Sequence, residues 1–393
     1  MVTEPRVLID ATAVPAARGG VGRYVDCLVA GLDAGGAAPM VVCQPRDAEH
    51  YGALAPHADV LPARERLVTR TARLTWEQTR LPWLLRRARI EVLHCPHYTM
   101  PLAAQVATQV ATVVTLHDAT FFTDPRVHSP VKARFFRAWT RTSLRRADVC
   151  VVPSESTARE LGRVADADLS SLHVVHHGVD ADRFHPPSPE EIAVVRHRLG
   201  LGGSPYVAFL GALEPRKNVP ALIRGFALAS QALASQACAG RPDPPILVLA
   251  GPPGWDSWVE RELRAAAHRV PVIRAGYLPL AELSGFLGGA AVVAYPSLGE
   301  GFGLPVLEAM ATGAAVLTTR RLAIPEVGGD AVAYCGIAAE DIAAGLVGLL
   351  DDPARRAELS AAGQRRAKDF SWTVSAARHR EAYRHAALRR RSR

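Results

Sequence analysis

Short runs of apolar, mostly β-branched residues recur along the chain, separated by longer stretches in which apolar positions fall at helical spacing. In the first half the runs are Val7 to Ile9, Met40 to Cys43, Ile90 to Leu93, Val110 to Leu116, Val149 to Val152 and Leu172 to Val175. In the second half they are Tyr206 to Leu210, Ile246 to Ala250, Val272 to Ile273, Ala291 to Tyr295, Ala314 to Leu317 and Val332 to Tyr334. They are apolar throughout rather than alternating, as expected of parallel strands covered by helices on both faces. Strand-then-helix alternation predicts an α/β protein built on parallel sheets. The plan is interrupted at Phe184-His185-Pro186-Pro187-Ser188-Pro189, where three prolines stop a helix and stiffen the chain. A linker there predicts one domain over residues 1–187 and a second over 188–373, with an arginine-rich helical segment over 374–393. Ala227 to Gln236 spell Ala-Leu-Ala-Ser-Gln twice, which reads as a helix extension.

At 393 residues, with 49% hydrophobic and 21% charged positions, the chain is not a disordered, collagen-like or disulfide-scaffold protein. No apolar run approaches the ~20 residues of a membrane-spanning helix. Polar Met1 to Glu4 lead straight into a strand-like run, so no secretion signal is read and a cytoplasmic protein is expected. The net charge of +8 suits nucleic acid, an anionic membrane face or phosphorylated small molecules. No nucleic-acid recognition motif accompanies it, which sets that partner aside. Lys132, Arg134, Arg137, Arg141, Arg145 and Arg146 share a segment with Phe135, Phe136 and Trp139. That segment is either a solvated helix whose aromatics pack on the sheet or a helix lying peripherally on the inner face of an anionic membrane. Cys27, Cys43, Cys95, Cys150, Cys238 and Cys335 form no Cys-x-x-Cys pair and read as reduced core residues.

Open parallel sheets bind ligands beyond the carboxyl ends of their strands, where helix N-termini also point. After the first run comes Arg18-Gly19-Gly20-Val21-Gly22-Arg23-Tyr24. A dinucleotide fingerprint needs a third glycine where Val25 stands, and the second run ends in Cys43-Gln44 with no ribose-binding acid, so NAD is disfavoured. This turn either simply packs or lets backbone N–H groups approach an anion. His117 and Asp118 follow the run ending at Leu116, where an imidazole beside a carboxylate can serve a ligand hydroxyl or be structural. Glu214-Pro215-Arg216-Lys217-Asn218 follows Tyr206 to Leu210; adjacent Arg and Lys make a dense positive site suited to two phosphates, or a solvated basic turn. After Ala291 to Tyr295 comes Pro-Ser-Leu-Gly-Glu-Gly-Phe-Gly-Leu-Pro, with Glu300 in the loop and Glu308 expected two turns into the next helix. Glycines at 301 and 303 expose backbone donors, and Pro305 suits a first helical turn. Two carboxylates beside backbone N–H groups fit a ligand with hydroxyls at both ends and phosphate between, a nucleoside diphosphate sugar. Asp166-Ala-Asp168 and Asp180-Ala-Asp182 spell the Asp-x-Asp of metal-dependent transferases but do not follow buried strands, so no metal is expected.

Glu300 and Glu308 around Gly-Phe-Gly-Leu-Pro resemble the Glu-x7-Glu signature of retaining glycosyltransferases of family four. The resemblance extends over nearly the whole chain. It includes Gly-Gly-Val-Gly-Arg-Tyr at 19–24, Leu-His-Asp at 116–118, Val-Pro-Ser-Glu-Ser at 152–156, Gly-Val-Asp at 178–180, Glu-Pro-Arg-Lys-Asn at 214–218 and Pro-Glu-Val-Gly-Gly-Asp at 325–330. It implies the GT-B fold, two Rossmann-like domains facing a cleft, with a C-terminal helix crossing back to the first. It also implies a hexose donor bound as a nucleoside diphosphate sugar, a glycan or lipid-linked acceptor, no cofactor and no metal. Likeness to bacterial cell-surface mannosyltransferases points to mannose and to polysaccharide biosynthesis. Position by position, Arg216 and Lys217 would grip the diphosphate, Glu308 the ribose, and Glu300 the sugar hydroxyls near the reacting carbon. Backbone N–H groups of Gly301, Phe302, Gly303 and Leu304 would reach phosphate and sugar. Tyr277 and Leu278 would lie by the nucleobase and His117 by the donor sugar, with Asp118 in support, while Gly20 and Gly22 would permit close approach. Ala212 stands where many relatives carry another arginine, and His177 replaces the usual asparagine of the Asn-Gly-Val-Asp turn. A sugar-nucleotide epimerase of the same fold and a non-catalytic sugar-nucleotide-binding protein are the competing expectations.

Overall fold

The computed structural model describes residues 4–16, 18–63, 67, 69–103, 108–236 and 244–392; Cys238 lies outside them. The chain forms two compact units, Met1–Gly178 with Phe370–Arg393, and Val179–Asp369. In the first unit the strands are β1 (Val7–Asp10), β2 (Met40–Cys43), β3 (Asp59–Pro62), β4 (Val92–Cys95), β5 (Ala111–Thr115), β6 (Val149–Val152) and β7 (Leu172–Val174). They form one parallel sheet ordered β3-β2-β1-β4-β5-β6-β7. The second unit holds β8 (Tyr206–Leu210), β9 (Ile246–Ala250), β10 (Val272–Gly276), β11 (Val292–Tyr295), β12 (Val316–Thr319) and β13 (Ala333–Cys335). These also run parallel, in the order β10-β9-β8-β11-β12-β13. Both sheets meet the α/β expectation, and each of the twelve apolar runs contains or overlaps a strand. The strand that carried no signal, β3, is a half-exposed edge strand whose Asp59 and Pro62 face solvent, so it needs no apolar run.

The proline stretch is not a linker. His185 N–H donates to Ser284 Oγ at 3.1 Å, and Pro187 packs so tightly on Gly288 that a Cβ there would come within 2.4 Å of it. Ser188 then starts the helix Pro189–Leu199 with a capping box completed by Glu191, and Pro189 occupies the first helical turn. These prolines are therefore packed parts of the second unit, and the chain divides before them. The tandem repeat lies in one continuous helix, Val219–Gln236. Of the cysteines, Cys43, Cys95 and Cys150 are buried and Cys27 and Cys335 half-buried, all as free thiols.

The C-terminal helix Trp372–Arg391 returns to the first unit and packs on the helix Gly20–Ala34 and on strands β4, β5 and β6. Its entry explains two residues of the sequence. A Cβ at Gly178 would lie 2.1 Å from the Trp372 nitrogen, so only glycine fits the crossing. His177, buried, stacks on the Trp372 indole at a ring separation of 5.6 Å. Deeper in, a polar chain crosses the core. His379 Nδ1 donates to the Ser375 carbonyl (2.8 Å), and its Nε2 meets Tyr24 OH (2.8 Å). Tyr24 OH also meets Thr115 Oγ1 (2.8 Å), which meets His94 Nε2 (2.8 Å), and His94 Nδ1 meets Tyr383 OH (2.8 Å). With both imidazoles neutral one direction satisfies every member: Tyr383 donates to His94, His94 to Thr115, Thr115 to Tyr24, and Tyr24 to His379. A proton added to either histidine would turn an acceptor nitrogen into a donor facing a donor.

Burial pulls the His379 imidazole down to about 4 against a weaker opposing pull from the Ser375 carbonyl, and burial with His379 and His117 nearby holds His94 well below its ordinary value. Both histidines stay neutral in the folded unit but take up protons once unfolded, so stability is complete above about pH 6.5 and falls as pH drops towards 4. From His379 alone the loss between pH 7.5 and pH 5 is about 2 kcal/mol. Urea titrations at the two pH values should show at least that loss in the parent protein and a loss smaller by about 2 kcal/mol in His379→Gln, which keeps His94; equal losses in the two proteins would remove His379 as a source.

Candidate functional site

In the second sheet β8 and β11 are neighbours, and the strand order reverses between them. The loops leaving their carboxyl ends therefore flank the crevice where such sheets take ligands. After β8, Pro215–Lys217 form one tight helical turn that ends at Asn218 in the left-handed region (φ +58°), a conformation Asn tolerates. Asn218 is fixed in turn by its side chain, which donates to the Ile337 carbonyl at 2.9 Å. After β11, Leu298 N–H donates to the Arg216 carbonyl at 2.8 Å and ties the two loops together.

Glu300 lies at the junction and is buried. Its Oε1 accepts from Lys217 Nζ at 2.7 Å, Ser297 Oγ at 2.6 Å and Tyr295 OH at 3.0 Å. Its Oε2 pairs with Arg216 Nη1, which also donates to the Gly299 carbonyl at 2.9 Å. Lys217 Nζ further donates to Tyr295 OH, so two of its three N–H donors serve the junction. Glu214 approaches Arg216 at 3.8 Å. Burial alone would raise the Glu300 carboxyl, but Arg216, Lys217 and the hydrogen bonds from Lys217 and Ser297 prevail and hold it at about 2. Burial and the Arg216 charge draw Lys217 below its usual value while Glu300 opposes them. Burial and the Glu300 charge push Tyr295 well up, keeping it a hydrogen-bond donor.

From Glu300 the chain runs through Gly303 (φ +102°) into the helix Leu304–Ala311, with Pro305 in its first turn and no side chain capping its N-terminus. Glu308 is buried, 3% exposed. The helix starts as late as Leu304, so Glu308 sits little more than one turn in, not two. Tyr277 and Leu278 follow β10 at the same edge of the sheet; Leu278 is buried and Tyr277 is 60% exposed. In the first unit, Gly20 opens the helix Gly20–Ala34, again without a side-chain cap. A Cβ at Gly20 would meet no atom, whereas one at Gly22 would press on Arg18 at 3.2 Å. Arg18 pins this turn by pairing with Asp26 and with Asp47 (2.8 Å). His117 Nε2 donates to the Pro96 carbonyl at 2.7 Å, and burial lowers the ring's proton affinity. Asp118 accepts from Thr120 N–H (2.9 Å) and Oγ1 (2.7 Å), a turn-holding contact.

The Glycosyltransferase Family 4 profile matches residues 18–183 and the Glycosyl transferases group 1 profile residues 193–366. The O-antigen chain mannosyltransferase B of Escherichia coli is 31% identical over 299 residues, spanning 75% of this chain and 74% of that protein. This chain belongs to glycosyltransferase family 4. A D-inositol 3-phosphate glycosyltransferase of Xylanimonas cellulosilytica is 34% identical over 62% of this chain and 58% of its own length. The fold of this glycosyltransferase matches that of Anabaena HepE, solved with UDP and glucose, at a TM-score of 0.72 and 16% identity, over 96% of this chain and 99% of that one. It also matches WaaG, a glycosyltransferase involved in lipopolysaccharide biosynthesis, at a TM-score of 0.71 and 14% identity, over 96% and 99% of the two chains. These fold neighbours share the two-domain GT-B architecture.

Of the expected residues in this glycosyltransferase, Arg216, Lys217 and Glu300 are in direct contact, and Gly301 to Leu304 lead from them to Glu308. Gly20, Gly22, His117 and Asp118 belong to the first unit. Tyr295 and Ser297 were missed as members of the site. Their signal was present: a tyrosine ends an otherwise apolar strand, and a serine precedes the glycine-rich turn. In the basic segment Phe136 is buried, and Phe135 and Trp139 pack against the core, while Arg134, Arg141, Arg145 and Arg146 face solvent.

Removing the charge at Glu300 would leave two largely buried cations without their shared anion, a change that costs about 3 kcal/mol or more. Glu300→Gln should therefore lower the melting temperature of the second unit, and a bound nucleoside diphosphate should restore part of the loss. A variant as stable as the parent would mean that Glu300 does not hold the cations in place.

Proposed function

We propose that this glycosyltransferase moves a hexose from a nucleoside diphosphate sugar to a glycan or lipid-linked acceptor, with retention of anomeric configuration and without a metal. The observation that carries the reading is the Arg216–Lys217–Glu300 cluster at the point where the second sheet reverses its strand order. Glu300 holds two cations of opposite shape, a planar fork and a compact ammonium, at one edge of the crevice. When the sugar–phosphate bond breaks, negative charge grows on the departing diphosphate. Arg216, Lys217 and the uncapped helix N-terminus at Gly303–Leu304 stabilise that charge more in the transition state than in the ground state. Glu308 serves the ribose, Glu300 the sugar hydroxyls, and Tyr277 and Leu278 flank the base. His117, neutral because it is buried, is assigned to a sugar hydroxyl, and Gly20, where a Cβ would meet no atom, to close backbone approach.

In this reading the acceptor attacks the face that the diphosphate leaves, and the leaving phosphate takes its proton. Mannose is the favoured sugar because the E. coli relative is a mannosyltransferase, and synthesis of surface polysaccharide at the cytoplasmic side is the favoured setting. Arginines 134, 141, 145 and 146 suit peripheral contact with anionic lipid headgroups.

Lys217→Ala should lower kcat by roughly 10²-fold or more while the far-UV spectrum and cooperative melting persist. Turnover near the parent value would remove the diphosphate role. The product anomer should match the donor's by NMR, and a chelator should leave turnover unchanged; inversion or chelator-sensitive turnover would overturn the corresponding part of the mechanism.

A further inference from the structure

Of the 46 basic side chains in the sequence only three are lysines, Lys132, Lys217 and Lys368, so arginine is the ordinary cation of this chain. Lys217 is the one that is buried, 8% exposed. An ammonium carries three donors on one small centre, whereas a guanidinium spreads its donors in a plane. That difference matters at 217. Lys217 Nζ donates to Glu300 Oε1 at 2.7 Å and to the Tyr295 hydroxyl, and the same hydroxyl donates to Glu300 Oε1 at 3.0 Å. Cation, hydroxyl and carboxylate oxygen close a triangle, and one N–H of the ammonium stays outside it.

The phenol is the fixed corner of that triangle. Its ring is buried and stacks on Phe209, with centroids 5.9 Å apart and planes 16° from parallel, and its backbone carbonyl accepts from Thr318 Oγ1 at 2.7 Å. Lys217 sits at the end of a flexible four-carbon stem, whose freedom the triangle removes. The charges that face the ammonium are Arg216, Glu300 and Glu214: burial and Arg216 draw it down, and the two acids oppose them. A hydroxyl oxygen that accepts from the ammonium also favours its charged form. Tyr295 keeps its own proton, because burial and the Glu300 charge push it well up.

We propose that Tyr295 is a positioning residue for the departure of the diphosphate: its hydroxyl fixes the Lys217 ammonium, supports its charge and leaves its third N–H for a phosphate oxygen. This rests on the transferase reading above and adds to it a group that touches no substrate atom. In Tyr295→Phe the ring and its stacking persist, the buried ammonium loses one acceptor, and its proton leaves at lower pH. Turnover that needs the ammonium then falls off at lower pH as well.

The test compares Tyr295→Phe with Tyr206→Phe, which deletes another buried hydroxyl of the same sheet, one that donates to the Phe286 carbonyl at 2.7 Å. Turnover of GDP- and UDP-hexoses by the full chain is followed as release of GDP or UDP, which needs no knowledge of the acceptor. Tyr295→Phe should lower kcat about 10-fold, change the donor KM by less than about 3-fold and move the alkaline limb of kcat down by about 0.5 pH unit or more. Tyr206→Phe should lower the melting temperature and leave that limb in place. NMR titration of the substrate-free protein labelled at lysine Cε gives an independent readout, with the Lys217 signal assigned by Lys217→Arg. The Lys217 midpoint should fall in Tyr295→Phe and stay put in Tyr206→Phe. An unmoved midpoint, or a kcat within about twofold of the parent, overturns the proposal. If the parent protein turns over no GDP- or UDP-hexose while the midpoint still falls in Tyr295→Phe, the transferase reading fails and the hold of Tyr295 on the ammonium stands.

Discussion

One buried carboxylate organises the second unit's crevice. Two cations on adjacent residues would repel each other and resist burial, yet the loop after β8 presents Arg216 and Lys217 side by side at the carboxyl edge. Glu300, brought in from the loop after β11, accepts from both. The Arg216 and Lys217 charges, with hydrogen bonds from Lys217 and Ser297, keep the acid ionised where burial alone would favour its neutral form. The arrangement is held by the chain's own ion pairs and hydrogen bonds, and fixed donors of this kind are what electrostatic catalysis uses to act without reorganisation at the moment of reaction.

The first unit solves a different problem with neutral groups. Its C-terminal helix must be held to a sheet formed hundreds of residues earlier, and apolar contact by itself would not select one register. The Tyr383–His94–Thr115–Tyr24–His379 chain does so, since each donor has one acceptor and a shift along the helix would leave several of them buried and unsatisfied. Gly178 and His177 receive the start of that helix, so the departure of the usual asparagine at 177 supplies a ring that stacks on Trp372.

Both sheets reverse strand order at one point, and each carries cations at the carboxyl ends there. In the second unit the cations share one acid and adjoin backbone donors; in the first Arg46 pairs with Asp47 and Arg73 with Glu77 beside a cavity. The same topology thus brings side-chain cations to the corresponding point of both sheets.

The amino-acid sequence by itself determined the strand count to within one edge strand, the parallel α/β class and the identity of the charged triad. Those features are written in local patterns: apolar runs at strand length, and motif residues in loops that follow them. It did not determine that the prolines near 187 pack inside the second unit, because a stiff proline segment looks the same in sequence whether or not another helix lies against it. Nor did it reveal the partners of Glu300 at 295 and 297 or the histidine chain from 94 to 379. Each of these depends on which residues, distant along the chain, the fold brings within hydrogen-bonding or van der Waals distance, and that is decided only when the tertiary structure forms.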